Sequence, residues 1–111
     1  MVVALSSRTV GPWSVVSASG ELDLSNVDEL SNVIDVELER HPQLAIDLSD
    51  VSFVDSSVLG VLVSALERAR HRDGDVVLVG ASGSPLRVFE ITGLDRVFDI
   101  SGVVAEPSPA S

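Results

Sequence analysis

Phe53-Val54-Asp55-Ser56-Ser57-Val58-Leu59-Gly60-Val61-Leu62 joins an apolar strand-like run to an apolar helix-like run, with one carboxylate and two hydroxyls at the junction. A helix start carries unpaired backbone N–H groups and the positive end of the helix dipole. A serine placed there can cap the helix, act as a nucleophile, or accept a phosphate. On physical grounds the leading reading of Ser56 is a cap. Two successive hydroxyls after Asp55 are more than one cap requires.

Upstream of the junction, Leu44-Ala45-Ile46-Asp47-Leu48 reads as a strand. Downstream, the helix extends over 56–71, and its N-terminal half is apolar nearly all round, which predicts deep burial. Arg68, Arg70 and Arg72 suit its negative end, and Asp73-Gly74 stops it. Asp75 to Gly80 is a nearly all-apolar strand, expected to be central. Ser84-Pro85 reads as a cap followed by Pro at the first helical position, with Leu86, Phe89, Val88 and Ile91 as the buried face and Gly93 as the stop. Arg96-Val97-Phe98-Asp99-Ile100 reads as a last strand.

Toward the N-terminus, Val2 to Leu5 and Trp13 to Ala18 read as two strands punctuated by Gly11-Pro12. Ser25 with Asp28 resembles a weak capping box before Val27, Leu30, Ile34 and Leu38 at helical spacing. His41-Pro42 ends that helix. The order β-β-α-β-α-β-α-β implies a single α/β domain: a mixed, mostly parallel sheet of about four to five strands with three to four helices packed on it. The domain is expected over 1–104. The Pro- and Ser-rich segment 105–111 is expected to be a mobile tail.

The chain has 111 residues, enough for one core, and 45% of them are hydrophobic against 4% aromatic, so the core must be aliphatic. The formal net charge of −10 argues against nucleic acid and anionic membrane surfaces as partners. No run is long enough for a transmembrane helix, and no basic-then-apolar leader is visible, so a cytoplasmic protein without membrane insertion is the simplest reading. There is no cysteine, which excludes disulfides and thiolate chemistry.

Enzyme chemistry finds little support. A serine nucleophile needs a base within reach, and the only histidines, His41 and His71, fall at helix C-termini, opposite the edge expected for Ser56. The Gly-x-Ser-x-Gly elbow is absent. Asp23, Asp47, Asp50 and Asp55 are expected near one sheet edge, an arrangement with which carboxylates can hold a metal; the plainer reading of Asp47, Ser49 and Asp50 is turns and caps. Gly80 to Ser84 follows a strand and precedes a helix but has neither nucleotide-loop spacing nor lysine. No cofactor and no metal are expected.

Three blocks, in order, are similar to the STAS domain, and within it to the small stand-alone anti-sigma-factor antagonists. Gly20-Glu21-Leu22-Asp23 resembles the family's entry to its first helix. Asp47 to Ser57 followed by Leu59-Gly60 resembles its signature. Phe89 to Phe98 resembles its late segment. The resemblance spans nearly the whole chain.

The resemblance implies a non-enzymatic regulator that binds an anti-sigma factor which is also a serine kinase. It implies phosphorylation at Ser56, with Ser57 as second choice, loss of binding in the phosphorylated form, and restoration by a metal-dependent serine phosphatase. The partner surface is expected to include Asp23, Asp55, Ser56, Ser57, Val58 and Leu59. Free N–H groups at the helix start are expected to hold the phosphate without refolding. The family usually has Gly where this chain has Val58, a branched side chain expected to bear on the partner contact. The C-terminus looks short for the family's last helix. An alternative function within the same fold is a cytoplasmic accessory subunit of a lipid-transporting ABC system.

Overall fold

The structure is a computed structural model and describes residues 4–101. The expectations for the tail and for a shortened last helix lie outside the described residues.

The chain runs β1 (Ala4–Val10), β2 (Trp13–Leu22), α1 (Val27–Arg40), β3 (Gln43–Val54), α2 (Ser56–Arg70), β4 (Asp75–Val79), α3 (Gly83–Thr92), a 3-10 turn (Leu94–Arg96) and β5 (Asp99–Ser101). The five strands form one sheet in the order β1-β2-β3-β4-β5. The β1–β2 pair is antiparallel and the other three pairs are parallel. Because each crossover advances one strand in the same direction, right-handed connections place all three helices on one face.

The packing agrees. Val16, Leu44, Ile46, Leu48, Val76 and Leu78 share a core with Leu30 and Ile34 of α1, Leu62 and Leu66 of α2, and Phe89 of α3. These positions alternate along the strands, as period-two side chains must. Val15, Ala45, Val77 and Val79 form a smaller cluster on the other face, with Val10 and Trp13 against it. Among the described residues the one aromatic contact, Phe89 on Phe98, is edge-to-face with centroids 6.4 Å apart.

β3 is the element that sequence periodicity truncates most. It continues for 12 residues instead of ending at Leu48. Against β2 its register slips twice, between Ser17 and Ser19 and between Gly20 and Glu21, each time by an extra residue in β3. At the first bulge the Asp47 carboxylate accepts from the Ser49 N–H (3.0 Å) and from the Ser49 hydroxyl, replacing a missing ladder bond. Gly80, at φ 74°, passes close to this bulge, where a Cβ would stand 2.8 Å from Ser49 Cβ. The bulges carry β3 past the end of β4 and set Asp55 beyond the sheet's C-terminal edge.

Several element ends differ from expectation. Ser25 does not cap α1; the N-cap is Asn26, whose amide turns back to donate to the Glu21 carbonyl (2.8 Å). α3 begins at Gly83 after Ser82, so Pro85 sits in the first turn but not at its first position; a first-turn N–H has no helical acceptor, so Pro is tolerated there too. Pro85 and Phe89 are buried, whereas Ile91 is 77% exposed. The expected strand over 96–100 is a 3-10 turn plus the three-residue β5, because Phe98 donates its N–H back to the Leu94 carbonyl (2.9 Å). The left-handed residue that ends α2 is Asp73 (φ 60°), not Gly74.

Candidate functional site

Asp55 is the N-cap of α2. Its Oδ1 accepts from the N–H groups of Ser57 (3.0 Å) and Val58 (3.3 Å) and from the Ser57 hydroxyl (2.5 Å). Its Oδ2 accepts from the N–H of Leu24 (3.0 Å), in the loop between β2 and α1. One carboxylate therefore closes the helix start and pins a loop 31 residues away in sequence. The cap assigned to Ser56 by sequence belongs to Asp55.

The two serines are thereby separated. Ser57 is half-buried and its hydroxyl is committed to Asp55. Ser56 occupies the first helical position and is exposed; among the described residues its hydroxyl makes no hydrogen bond. Of the N–H groups expected to be free for a phosphate, those of Ser57 and Val58 are already taken by Asp55.

Asp23 organises the neighbouring loop. Its Oδ1 accepts from the Ser25 N–H (2.9 Å) and hydroxyl (2.5 Å), and Asn26 Oδ1 accepts the Asp23 N–H (3.0 Å). Asp23 is thus the chain neighbour of Leu24, whose N–H the Asp55 carboxylate holds. Asp47 does not join them; it lies within β3 opposite Ser17 and Val79.

Val58 corrects an expectation. Its side chain is fully buried in the helix-side core, so it offers no surface to a partner and crowds nothing outside. Leu59 is half-buried beside it. The first half of α2 is less buried than its composition suggests: Val61 and Val63 are half-buried and Gly60 is exposed. Two apolar residues missed by sequence reading stand beside the site. Leu24 is 74% exposed and Phe53 is 42% exposed. The available signal was an apolar residue, Leu24, between the acids and the helix start with no strand position to bury it.

The Ser57 hydroxyl pulls the Asp55 carboxyl below its ordinary value of 3.8; partial desolvation opposes this, and the N–H groups of Val58, Leu24 and Ser57 add to it. The site is therefore anionic at neutral pH. Both histidines are C-caps, of α1 and α2. His71 stands a full helix length from Ser56, about 22 Å.

The fold and site define a small α/β domain that presents an exposed serine, two carboxylates and solvent-facing apolar side chains at the C-terminal edge of its sheet. The STAS domain family model matches residues 4–106, and the chain belongs to that family. The anti-sigma-B factor antagonist of Listeria monocytogenes is 36% identical over 92 residues, covering 82% of this chain and 81% of the relative. That of Bacillus subtilis is 35% identical over 86 residues, covering 78% and 79%. The crystal structure of an anti-sigma factor antagonist from Mycobacterium paratuberculosis superposes with a TM-score of 0.85 at 29% identity, covering 93% of this chain and 88% of the other.

Proposed function

We propose that this chain is an anti-sigma-factor antagonist. It binds an anti-sigma factor that is also a serine kinase, and phosphorylation of Ser56 switches the binding off. A metal-dependent serine phosphatase resets it. The contact surface consists of Asp23, Leu24, Phe53, Asp55, Ser56, Ser57 and Leu59.

The observation that carries this reading is the division of labour between the two serines. Ser56 is exposed with an uncommitted hydroxyl, whereas the Ser57 hydroxyl is held at 2.5 Å by the capping carboxylate. A kinase needs the first kind of hydroxyl. The exposed Leu24 and Phe53 supply apolar area for a partner to bury.

Phosphorylation adds about −1.5 to −2 charges. With Asp55 already on the N–H groups, the phosphate stands outside the helix end, beside Asp55 and near Asp23. It opposes a partner surface fitted to a neutral hydroxyl, without any need to refold the domain.

The test is incubation with ATP and candidate anti-sigma kinases, followed by phosphopeptide mass spectrometry. The expected label is on Ser56, with Ser56→Asp abolishing binding. Label on Ser57, unchanged binding by Ser56→Asp, or co-purification with a transporter ATPase subunit in place of an anti-sigma factor counts against the reading.

A further inference from the structure

Every described glycine but one has a reason within the chain. Gly11, Gly20, Gly80, Gly83 and Gly93 carry a positive φ, and a Cβ on Gly74 would strike the Pro42 backbone. Gly60 has neither reason. Its φ is not positive, and a Cβ built on it meets nothing within 4 Å. It is exposed, and it lies inside α2, four residues after Ser56 at the helix start. Apart from proline, glycine is the poorest residue for a helix interior, because it gives up the most backbone freedom on folding. Alanine at the same point would strengthen the helix and disturb nothing in the domain. A local rule broken with no gain inside the molecule marks a residue kept for a contact outside it.

The position says which contact. Residues three and four apart share a helix face, so Ser56, Leu59, Gly60 and Val63 form one stripe down the start of α2. Ser56 is exposed, and Leu59 and Val63 are half-buried. Gly60 is therefore a notch about 6 Å along the helix from Ser56, with an apolar flank on either side. Leu59 already belongs to the contact surface proposed above, and the notch continues that surface.

We propose that the anti-sigma factor packs an apolar segment directly across α2 at Gly60, so closely that a single methyl group there obstructs it. Gly60 then acts as a size filter for the partner, and the contact surface runs on to Val63. This rests on the function proposed above and extends it. Seating over Gly60 also brings the partner against the Ser56 hydroxyl on the same stripe, where a serine kinase must reach.

The test compares Gly60→Ala with Gly60→Leu in the full chain. Both residues are strong helix formers, so they remove backbone freedom alike and differ in size. Both should raise the thermal midpoint, Gly60→Ala by about 4 °C. The probe is the purified anti-sigma kinase that labels Ser56 in the incubation described above. With each chain as its substrate, KM should rise about tenfold for Gly60→Ala and about a hundredfold for Gly60→Leu, because a closely packed contact tolerates added volume poorly. The turnover number should change little, since the contact is made equally in the ground and transition states. Glu67→Gly, at an exposed position about 10 Å further along α2, should lower the thermal midpoint by a similar amount and leave KM unchanged. A midpoint that falls in Gly60→Ala overturns the proposal, since the glycine would then be needed inside the domain. An equal rise in KM for Ala and Leu, or a rise for Glu67→Gly, also overturns it and assigns the effect to helix flexibility. A kinase that labels wild type and Gly60→Leu with the same KM removes this contact and leaves the function standing. Failure of every anti-sigma kinase to label wild-type Ser56 removes the function and the contact together.

Discussion

The carboxylate of Asp55 holds the Leu24 N–H at 3.0 Å with one oxygen and the start of α2 with the other. The two segments that make up the candidate site are thus fixed to one another through a single side chain. An aspartate does this where other N-cap residues do not, because both of its oxygens accept.

Asp55→Asn separates the two roles. The amide oxygen still accepts the Ser57 and Val58 N–H groups, and Asn is a good N-cap. The amide nitrogen faces the Leu24 N–H as a second donor and repels it. Urea unfolding should show a loss of about 1 kcal/mol, while amide exchange in residues 23–26 rises. Asp55→Ala removes the cap as well and should cost about 1–2 kcal/mol. Equal exchange in the loop for Asn and wild type would refute the tether.

Acid should act on the same residue. The Asp55 pKa is lowered in the folded state, chiefly by the Ser57 hydroxyl. A depressed carboxylate stabilises the fold at pH values above its unfolded value, and that contribution drains away as pH falls through the folded pKa. The window therefore lies below about pH 4, not near neutrality. An NMR titration of the Asp55 carboxyl should give a midpoint under 3.8, and Ser57→Ala should move it upward. An unmoved midpoint would show that the hydroxyl is not the cause.

The end of α2 offers a contrast between neighbours. Gly74 donates its N–H to the Ala69 carbonyl (2.8 Å), and a Cβ on it would lie 2.0 Å from the Pro42 backbone oxygen. Gly74→Ala should cost about 2 kcal/mol or more, since backbone must move. Asp73 carries the left-handed conformation. In Asp73→Gly, relief of that strain is offset by the entropy of a freer unfolded chain, and the change should stay within about 0.5 kcal/mol. Thermal melts of both variants check the pair; comparable losses would mean that φ, not close approach, dictates the sequence here.

The order of elements and the parallel pairing were legible from local signals: apolar runs of strand length alternating with helical periodicity, as at Val76 to Val79 and at Leu30, Ile34 and Leu38. What escaped depends on partners distant in sequence. The length of β3 rests on two bulges whose groups are satisfied by Asp47 and by pairing with β2, neither visible in a one-dimensional pattern. The Ser56 hydroxyl looks like a cap from composition, and only the geometry of Asp55 displaces it. Val58 looks like a surface departure until α2 is seen to turn it into the core.

Leu24 should matter for binding and not for stability. At 74% exposure its side chain packs on little. Leu24→Ser should leave the urea midpoint within about 0.5 kcal/mol of wild type. Under the proposed function it should weaken the complex with an anti-sigma factor about tenfold, as an exposed apolar anchor does. Calorimetry on Leu24→Ser and wild type separates the two effects, and undiminished affinity would remove Leu24 from the contact surface.

Phosphorylated Ser56 should report its own surroundings. If the phosphate stands outside the helix end, its neighbours are the Asp55 carboxylate, still on the Ser57 and Val58 N–H groups, and Asp23 across the Leu24 loop. Like charges disfavour the second ionisation, so a phosphorus NMR titration should give a midpoint above the ordinary value of about 6. Amide shifts should be confined to the Asp55 turn and the loop around Leu24. If the phosphate instead displaced Asp55 and took the helix N–H groups, its midpoint would fall below about 6, the Leu24 tether would open, and the shifts would spread into α1. The direction of one titration therefore decides whether the charge acts by repelling a partner or by rebuilding the surface that the partner meets.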